Sequence, residues 1–417
     1  QRPFPGSRIP AFYLHPVGVN IAGLYPLPNQ SQPGRNYISA PILRDASETF
    51  DVKLDHSLTS RSELTGRYSL SDRRLTEPFA GNAFAQFAGY GNSVPHRAQN
   101  AMAGHTQVFS PNLINELRLA FNRVAIEVNQ ENQGVDLNRQ AGLPSFASKQ
   151  RQLGLSYISV LGYSPLGHEY NNPQASASNT YQLTNAATWT RGRMIWKFGA
   201  DIRKFDQRAF RDVQSRGLIN FVGFTGNALT ELLLGIPAVT GGARLDNPQH
   251  LRGESYNFFT QANARVREDL TRTFGLRYEF NSPPVDPRDR ASLYNPATGG
   301  ISRIGTDGLP RAGYASDRNN FGPRFGFAWS PGDRLTVLRG GYGIYFDQSA
   351  LAPSEGLYFS APYFDFRLFV TSAQFPLTLS NPFPADYPFP TPASAFSFNP
   401  GMRTPYIQHF NFQVQRQ

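Results

Sequence analysis

The chain contains no cysteine among its 417 residues. Disulfides, thiolate zinc sites and cysteine nucleophiles are therefore excluded. No run approaches the 18 apolar residues of a transmembrane helix; the nearest, at 232–239, is short and contains Pro237. The sequence therefore predicts neither a disulfide-stapled domain nor a helical membrane anchor.

Long blocks of like charge are also missing, although the net charge is +10. A nucleic-acid-binding arm has no support, and no nucleic-acid partner is predicted. The basic surplus instead fits the lining of a pore, or attraction to anionic lipid and lipopolysaccharide. Residues 1–5 lack the charged and apolar regions of a signal peptide, so we interpret the chain as processed or, preferably, as a fragment.

Assembled catalytic motifs are absent from the sequence. The seven histidines are scattered and form no H-E-x-x-H. The run 162–167 has Leu166 where a nucleophile elbow needs its second glycine. Asp51 and Asp55 would lie roughly 13 Å apart on a strand, beyond the ~5–9.5 Å of a glycosidase pair. The glycine-rich segment that begins at Arg339 lacks the phosphate-loop signature. We predict no enzyme activity, no metal site and no cofactor.

Aromatic residues and turn formers are plentiful, with 33 Phe, 19 Tyr, 37 Gly and 33 Pro. Aromatic side chains suit a pleated sheet, and glycine and proline supply turns. The composition indicates an all-β protein.

Apolar and polar residues alternate with a period of two in five pairs of segments, followed by one unpaired segment. This periodicity places apolar side chains on one face of a strand and polar ones on the other. Short turns at 59–61, 110–112, 191–192, 268–269 and 330–333 join the members of each pair. The predicted strands are 50–55, 64–70, 101–108, 116–122, 181–189, 196–203, 256–266, 273–280, 325–329, 338–344 and 409–414.

The connections between pairs are long: 74–96, 125–178, 207–254, 282–320 and 347–404. Short turns alternating with long loops are typical of outer-membrane barrels, which have periplasmic turns and extracellular loops. A soluble β-sandwich or propeller with a tryptophan-containing core is the competing interpretation. Trp189, Trp196 and Trp329 near the short turns favour a membrane girdle. One helix is predicted at 227–235, as a cap or a loop-packing element.

Several stretches resemble the barrel of the Oar-like TonB-dependent receptors. They follow the family order across nearly the whole chain and lie at 24–29, 189–203, 224–228, 275–279, 317–324 and 339–347. The chain departs from the family at 262–264, where Ala-Asn-Ala replaces a frequent Asp-Asp-Trp. That departure removes two acids and a girdle tryptophan, but leaves the strand pattern intact.

The resemblance implies a transmembrane antiparallel β-barrel in the cell outer membrane, with about 11 strands present of a likely 22. Residues 1–46 would be an extracellular loop segment leading into the barrel, and 47–417 a partial barrel truncated at both ends and lacking the plug. The implied function is energy-coupled uptake of a scarce nutrient through a plugged barrel. The implied partners are the TonB complex, reached through the missing N-terminal region, and an unknown extracellular ligand captured by the loops 125–178, 207–254 and 347–404.

Alternation along the predicted strands places six cations on the polar, lumen-facing side. They are Arg67, Arg118, Lys197, Arg203, Arg277 and Arg339. Each is a candidate for ligand binding, or for structural pairing with Asp or Glu across the lumen. The alternatives for the whole protein are a secreted or surface β-rich adhesion or glycan-binding module, and a passive porin.

Overall fold

A single antiparallel sheet of eleven strands dominates the computed structural model, which describes residues 4–332, 335–348, 354–391 and 393–416. All strands are numbered in chain order, and the missing numbers belong to strands in the loops, which are given below. The strands of the large sheet are β1 (Arg44–Thr59), β2 (Ser62–Glu77), β3 (Asn92–Ser110), β4 (Leu113–Gln130), β6 (Gln174–Arg191), β7 (Met194–Arg211), β10 (Gln249–Arg267), β11 (Leu270–Asn281), β14 (Phe321–Trp329), β15 (Thr336–Phe346) and β17 (Tyr406–Arg416). Each strand pairs with the next in this order.

The eleven predicted strands are confirmed, and each lies within one observed strand. The register confirms the expected faces, because Phe50 pairs with Leu70 and Val52 with Tyr68. The short turns also lie where they were predicted, except that Asp333 of the last turn is outside the described residues. A period of two therefore predicted both the strands and their sidedness.

The predicted bounds of the long connections were wrong, because the strands extend further into them than expected. Residues 125–128 pair with 174–177, although both segments were assigned to a loop. Residues 207–209 likewise pair with 249–251. Apolar alternation stops before the backbone ladder does, because small and polar residues occupy the ends of the strands. Hydropathy therefore marks only the middle of each strand.

The connections are themselves structured. They contain a second sheet in the order β16 (Phe364–Val370), β9 (Val239–Leu245), β8 (Leu218–Phe221) and β5 (Tyr157–Val160), in which β5 and β8 are parallel. A hairpin joins β12 (Ser292–Asn295) to β13 (Gly300–Arg303). The helices are α1 (Pro16–Ala22), α2 (Leu137–Ala141) and α3 (Ala228–Leu234), with 3-10 turns at Pro5–Ser7, Ala11–Tyr13, Gln150–Gln152 and Gly356–Tyr358. We call these connecting segments together the loop assembly.

The loop assembly has an apolar core of its own. Ile158, Ile219 and Leu232 are completely buried in one cluster. Leu232 belongs to α3, so the predicted loop-packing helix is confirmed. Asn227 caps α3, since its Oδ1 accepts a hydrogen bond from the Thr230 N–H at 2.9 Å. Gly235 ends it with φ of 71°, a left-handed conformation that favours glycine.

The large sheet is open within the described residues. Every residue of β1 and of β17 is exposed, and each of these strands has a strand partner on one side only. Their outer backbone N–H and C=O groups therefore have no ladder partner. Of the helices in the described ranges, none combines the length and apolarity needed to span a bilayer.

We predict that a polypeptide of residues 1–417 alone will not insert as a stable pore. Unpaired backbone groups along β1 and β17 cost several kcal/mol each in hydrocarbon, so the two edges exclude a stable spanning structure. The measurement is electrophoresis in SDS, with and without boiling, after refolding in detergent. A monodisperse species whose mobility changes on boiling would contradict the prediction.

Candidate functional site

The large sheet has one apolar and one polar face, and the register keeps them separate across the strands. On the apolar face Tyr68, Ala101, Phe121 and Tyr181 form one continuous row from β2 to β6. Large side chains on this face are exposed, and Phe258 retains 48% of its accessible surface. A soluble protein would cover such a face, whereas a membrane protein turns it towards lipid.

The three tryptophans lie on the apolar face close to the short turns. Trp189 pairs directly with Trp196 across the β6–β7 hairpin. Trp329 is near the end of β14, and its Nε1 donates a hydrogen bond to Asp269 at 3.1 Å. An indole with one apolar and one hydrogen-bonded end suits a membrane interface, as the predicted girdle requires.

All six cations predicted from alternation lie on the polar face. Four of them have carboxylate partners: Arg67–Asp51 at 2.9 Å, Arg118–Glu116 at 3.3 Å, Arg203–Asp201 at 2.7 Å and Arg277–Glu279 at 2.9 Å. Three of these pairs join residues two apart on one strand, because such residues share a face. The structure therefore spreads the six candidates over five strands rather than gathering them in one pocket.

Lys197 and Arg339 differ from the other four candidates. Within the described ranges neither has a carboxylate within 4.0 Å. Arg203, by contrast, has a second partner besides Asp201, because its Nη1 donates a hydrogen bond to Gln348 Oε1 at 2.7 Å. Of the six candidates, Lys197 and Arg339 therefore carry the charge that is most free to meet an anionic ligand on this face.

Sequence reasoning missed two further arginines of the polar face. Arg73 makes a two-point contact with Asp45, at 2.7 and 2.6 Å. Arg324 stacks on the Tyr345 ring, with its guanidinium carbon 4.4 Å from the ring centroid. Extending the alternation three residues beyond Leu70, or one residue before Phe325, would have found both.

Asn257 is an anomaly of the polar face. It is fully buried, and neither its Oδ1 nor its Nδ2 has a partner among the described residues. The register places it between Asp201 on β7 and Glu279 on β11. Burial of an amide without hydrogen-bond partners destabilises the folded state by about 1–3 kcal/mol. Asn257 is therefore an unsatisfied polar group in the middle of this face.

The loop assembly covers the polar face at the strand ends next to the long connections, which we call the loop end. Leu251 of β10 faces that side and is buried with Leu293 and Tyr358. The Tyr358 hydroxyl donates to Asp286 at 2.8 Å. Asn281 of β11 donates to the Asp347 carbonyl oxygen at 3.3 Å. Loops therefore lie over the mouth of the polar face instead of extending freely.

A buried polar cluster holds the loop assembly in one conformation. Burial lowers the pKa of Arg216 to about 10, and its Nη1 donates to the Asn172 carbonyl oxygen at 2.7 Å. Burial likewise lowers the pKa of His168 to about 3, with nearby Arg216 adding to the effect. The neutral His168 accepts a hydrogen bond at Nδ1 from the Leu155 N–H at 3.2 Å. These contacts position the loops and assemble no catalytic group.

In the part of the chain that the structure describes, no cluster of three or more His, Asp or Glu side chains could hold a metal ion. The arrangement on the polar face can guide or bind charged solutes through fixed cations and anions.

The model of a protein family described as outer membrane beta barrel domain matches residues 1–417. No curated protein matches the chain.

Solved outer-membrane proteins resemble the structure. The outer membrane transporter YddB from Escherichia coli is 11% identical, with a TM-score of 0.51, and the alignment covers 90% of this chain and 38% of YddB. The copper transporter OprC is 14% identical, with a TM-score of 0.42 and coverage of 79% and 43%. At such identities the likeness shows the fold alone, and the chain spans about two fifths of the length of these proteins.

The first prediction from the site concerns which face meets lipid, and it uses the absence of cysteine from these 417 residues, with any cysteine elsewhere in the complete protein replaced by serine. In the complete protein in whole cells, Lys197→Cys should react with a membrane-impermeant maleimide, whereas Phe198→Cys should not. Both side chains are exposed in this sheet and are neighbours on β7, and only Phe198 is on the face that we expect to meet lipid. Equal labelling of the two variants would refute the assignment of faces.

The second prediction ranks two ion pairs of the polar face. Glu279→Ala should lower the free energy of unfolding by about 1.5–3 kcal/mol, because its carboxylate is 7% exposed and Arg277 would lose its partner. Asp51→Ala, at 47% exposure, should lower the free energy of unfolding less than Glu279→Ala does, because solvent screens an exposed ion pair. Urea titration of the folded band of the complete protein on SDS gels measures both. A larger loss for Asp51→Ala would show that burial does not set the ranking.

Proposed function

This chain belongs to the outer membrane β-barrel domain family, and we propose that the complete protein is a TonB-dependent receptor that takes up a scarce nutrient. The family confirms the outer-membrane location and the barrel resemblance expected from the sequence. It also favours a membrane protein over the secreted adhesion or glycan-binding module. Transport through the barrel is a non-enzymatic role.

The observation that carries the proposal is a polar face with a structured cover. A passive porin needs an open mouth, whereas a receptor needs loops that present a defined surface to a ligand. Here the loop assembly has a buried core and contacts the polar face through Leu251, Arg203 and Asn281. Eleven strands that have not closed also imply a lumen too wide for side chains alone to fill.

Closure of the barrel requires further strands, and their number is constrained. Both β1 and β17 run from the loop end towards the short turns. If they met directly, or if β17 met β1 of a second copy, the new pair would be parallel. An antiparallel barrel therefore needs an odd number of additional strands between them, and a total near 22 satisfies this.

We assign residues 1–46 to an extracellular segment and 47–417 to part of the barrel, with the plug supplied elsewhere in the complete protein. TonB would act on that plug from the periplasm. Outer-membrane lipid and lipopolysaccharide would surround the apolar face. The unknown ligand would bind the loop assembly first, and then pass Lys197 and Arg339 in the lumen.

Uptake by the complete protein tests the proposal. Cells that express it should accumulate at least one of three radiolabelled probes, namely ferric siderophore, cyanocobalamin or maltodextrin, and a protonophore should abolish this accumulation. Energy dependence is expected because displacement of a plug consumes the inner-membrane proton gradient. Uptake unaffected by the protonophore or by loss of TonB would instead establish a passive porin.

Variants of Lys197 and Arg339 test whether uptake depends on the charges of the polar face. Lys197→Ala and Arg339→Ala should slow uptake of an anionic probe severalfold, with normal outer-membrane levels of protein. Arg67→Ala is the matched comparison, and should have a smaller effect because Asp51 already neutralises that charge. Unchanged uptake in all three would assign these cations a purely structural role.

A further inference from the structure

A histidine and an arginine lie side by side inside the loop assembly. Arg216 is 4% exposed and His168 is 1% exposed. Both contact Gly154, since a Cβ atom at that position would lie 2.6 Å from Arg216 Nε and 3.1 Å from His168 Nδ1. We call the two side chains the His168–Arg216 cluster.

The positive charge of Arg216 is poorly compensated. Its Nε and Nη1 donate hydrogen bonds to the backbone carbonyl oxygens of Leu153 and Asn172, at 3.3 and 2.7 Å. Its Nη2 is buried and has no partner among the described residues. Asp212, the carboxylate that most favours the charged guanidinium, is bound by Arg151 at 2.7 Å. A second positive charge beside Arg216 would therefore be unfavourable.

The ring of His168 has a hydrogen bond that fixes the position of its proton. Nδ1 accepts from the Leu155 N–H at 3.2 Å, so the neutral ring carries its proton on Nε2. Nε2 is buried and has no acceptor in the described ranges. A second proton would have to bind Nδ1, where it would face the Leu155 N–H. Protonation of His168 therefore breaks this hydrogen bond and leaves both N–H groups buried without an acceptor.

The other groups around the ring offer no compensation for a second proton. Tyr90 packs edge-on against it, with ring centroids 5.3 Å apart, and burial raises the pKa of Tyr90 to about 12, so its hydroxyl is neutral. The carboxylate of the adjacent Glu169 accepts a hydrogen bond from Asn171 at 2.9 Å. Arg216 is the charged group that acts on His168, and it opposes the imidazolium form.

The segment that carries His168 packs against β5 with no spare room. A Cβ atom at Gly167 would lie 1.9 Å from the Ser156 carbonyl oxygen, so the ring cannot move away while this contact persists. The Ser156 hydroxyl also donates to the Arg216 carbonyl oxygen at 2.6 Å, and β5 pairs with β8, which follows Arg216. Displacement of His168 would therefore separate segments that belong to the small sheet of the loop assembly.

We propose that the His168–Arg216 cluster is a pH switch, which opens the loop assembly when His168 binds a second proton. In the closed assembly, burial and then Arg216 lower the pKa of His168 to about 3, whereas an exposed imidazole has its ordinary pKa of 6.5. The closed state is therefore fully favoured above a pH of about 6.5, and it loses stability as the pH falls from there towards about 3. The proposal concerns the loops alone and does not rest on the proposed uptake function.

The size of the effect follows from the two pKa values. Between about pH 7.5 and about pH 5, titration of His168 should raise the equilibrium constant for opening about 30-fold. Glu169 acts in the opposite direction, because burial raises its pKa and its protonation favours the closed state. A variant that lacks only the imidazole separates the two contributions.

Hydrogen–deuterium exchange of the complete protein in detergent measures the opening, through the amides of residues 155–160 and after correction for intrinsic exchange rates. His168→Asn is the test variant, because its amide oxygen can accept from the Leu155 N–H but does not titrate. The increase in exchange from about pH 7.5 to about pH 5 should be about 30-fold larger in the original protein than in this variant. Amides of β10 in the large sheet should give the same increase in both proteins.

His15→Asn is the matched control. His15 also lies in the loop assembly, where its Nε2 shares a hydrogen bond with Ser380 Oγ at 2.9 Å, and burial alone lowers its pKa. This variant should keep the acid response of residues 155–160. If His168→Asn does not assemble, His168→Gln serves instead. An original protein without an acid response would overturn the proposal, as would equal responses in the original protein and the His168 variant.

Discussion

Backbone hydrogen bonding inside hydrocarbon is the constraint on which the rest of this structure depends. A strand in lipid has no water to satisfy its N–H and C=O groups, so each must pair with a neighbouring strand. That requirement explains the unbroken antiparallel ladder from β1 to β17 and the tight turns between hairpin partners. The two exposed edge strands, β1 and β17, meet this requirement on one side only, so each needs a further strand partner in lipid.

The same constraint reverses the usual distribution of side chains. With lipid outside, aromatic and aliphatic residues occupy the exposed face, and the charged residues turn inward, where they must compensate one another. Pairs two residues apart, such as Arg203–Asp201 and Arg277–Glu279, achieve this within a single strand. A lumen built in this way keeps fixed charges in place, so cations without a carboxylate partner in the described ranges, among them Lys197 and Arg339, become the informative positions.

Sequence predicted the middle of the strands well because alternation there reflects two different solvents. Phe274, Leu276 and Tyr278 alternate with Thr273 and Arg277 for that reason. The strand ends were missed because Ala125 and Ala177, like other small or polar residues there, pair without the apolar–polar alternation that marks the middle of each strand. The small sheet was also beyond prediction, since β5 and β8 have four residues each and pair across some sixty residues of chain. Likewise, alternation placed all six cations on the polar face, but which of them are paired depends on side-chain geometry.

The unequal strand lengths link the barrel to the loops. A transmembrane strand needs about 9–11 residues, which β14 and β15 match with 9 and 11. By contrast, β3 and β10 have 19 residues each, and β4, β6 and β7 have 18. Their surplus extends beyond the hydrocarbon as a platform, and the loop assembly contacts its polar side at Leu251. Its other side is no longer constrained by lipid chains, which is why arginines can gather there beside small alanines. One extension of the sheet thus supports the loop assembly on one face and a basic surface on the other.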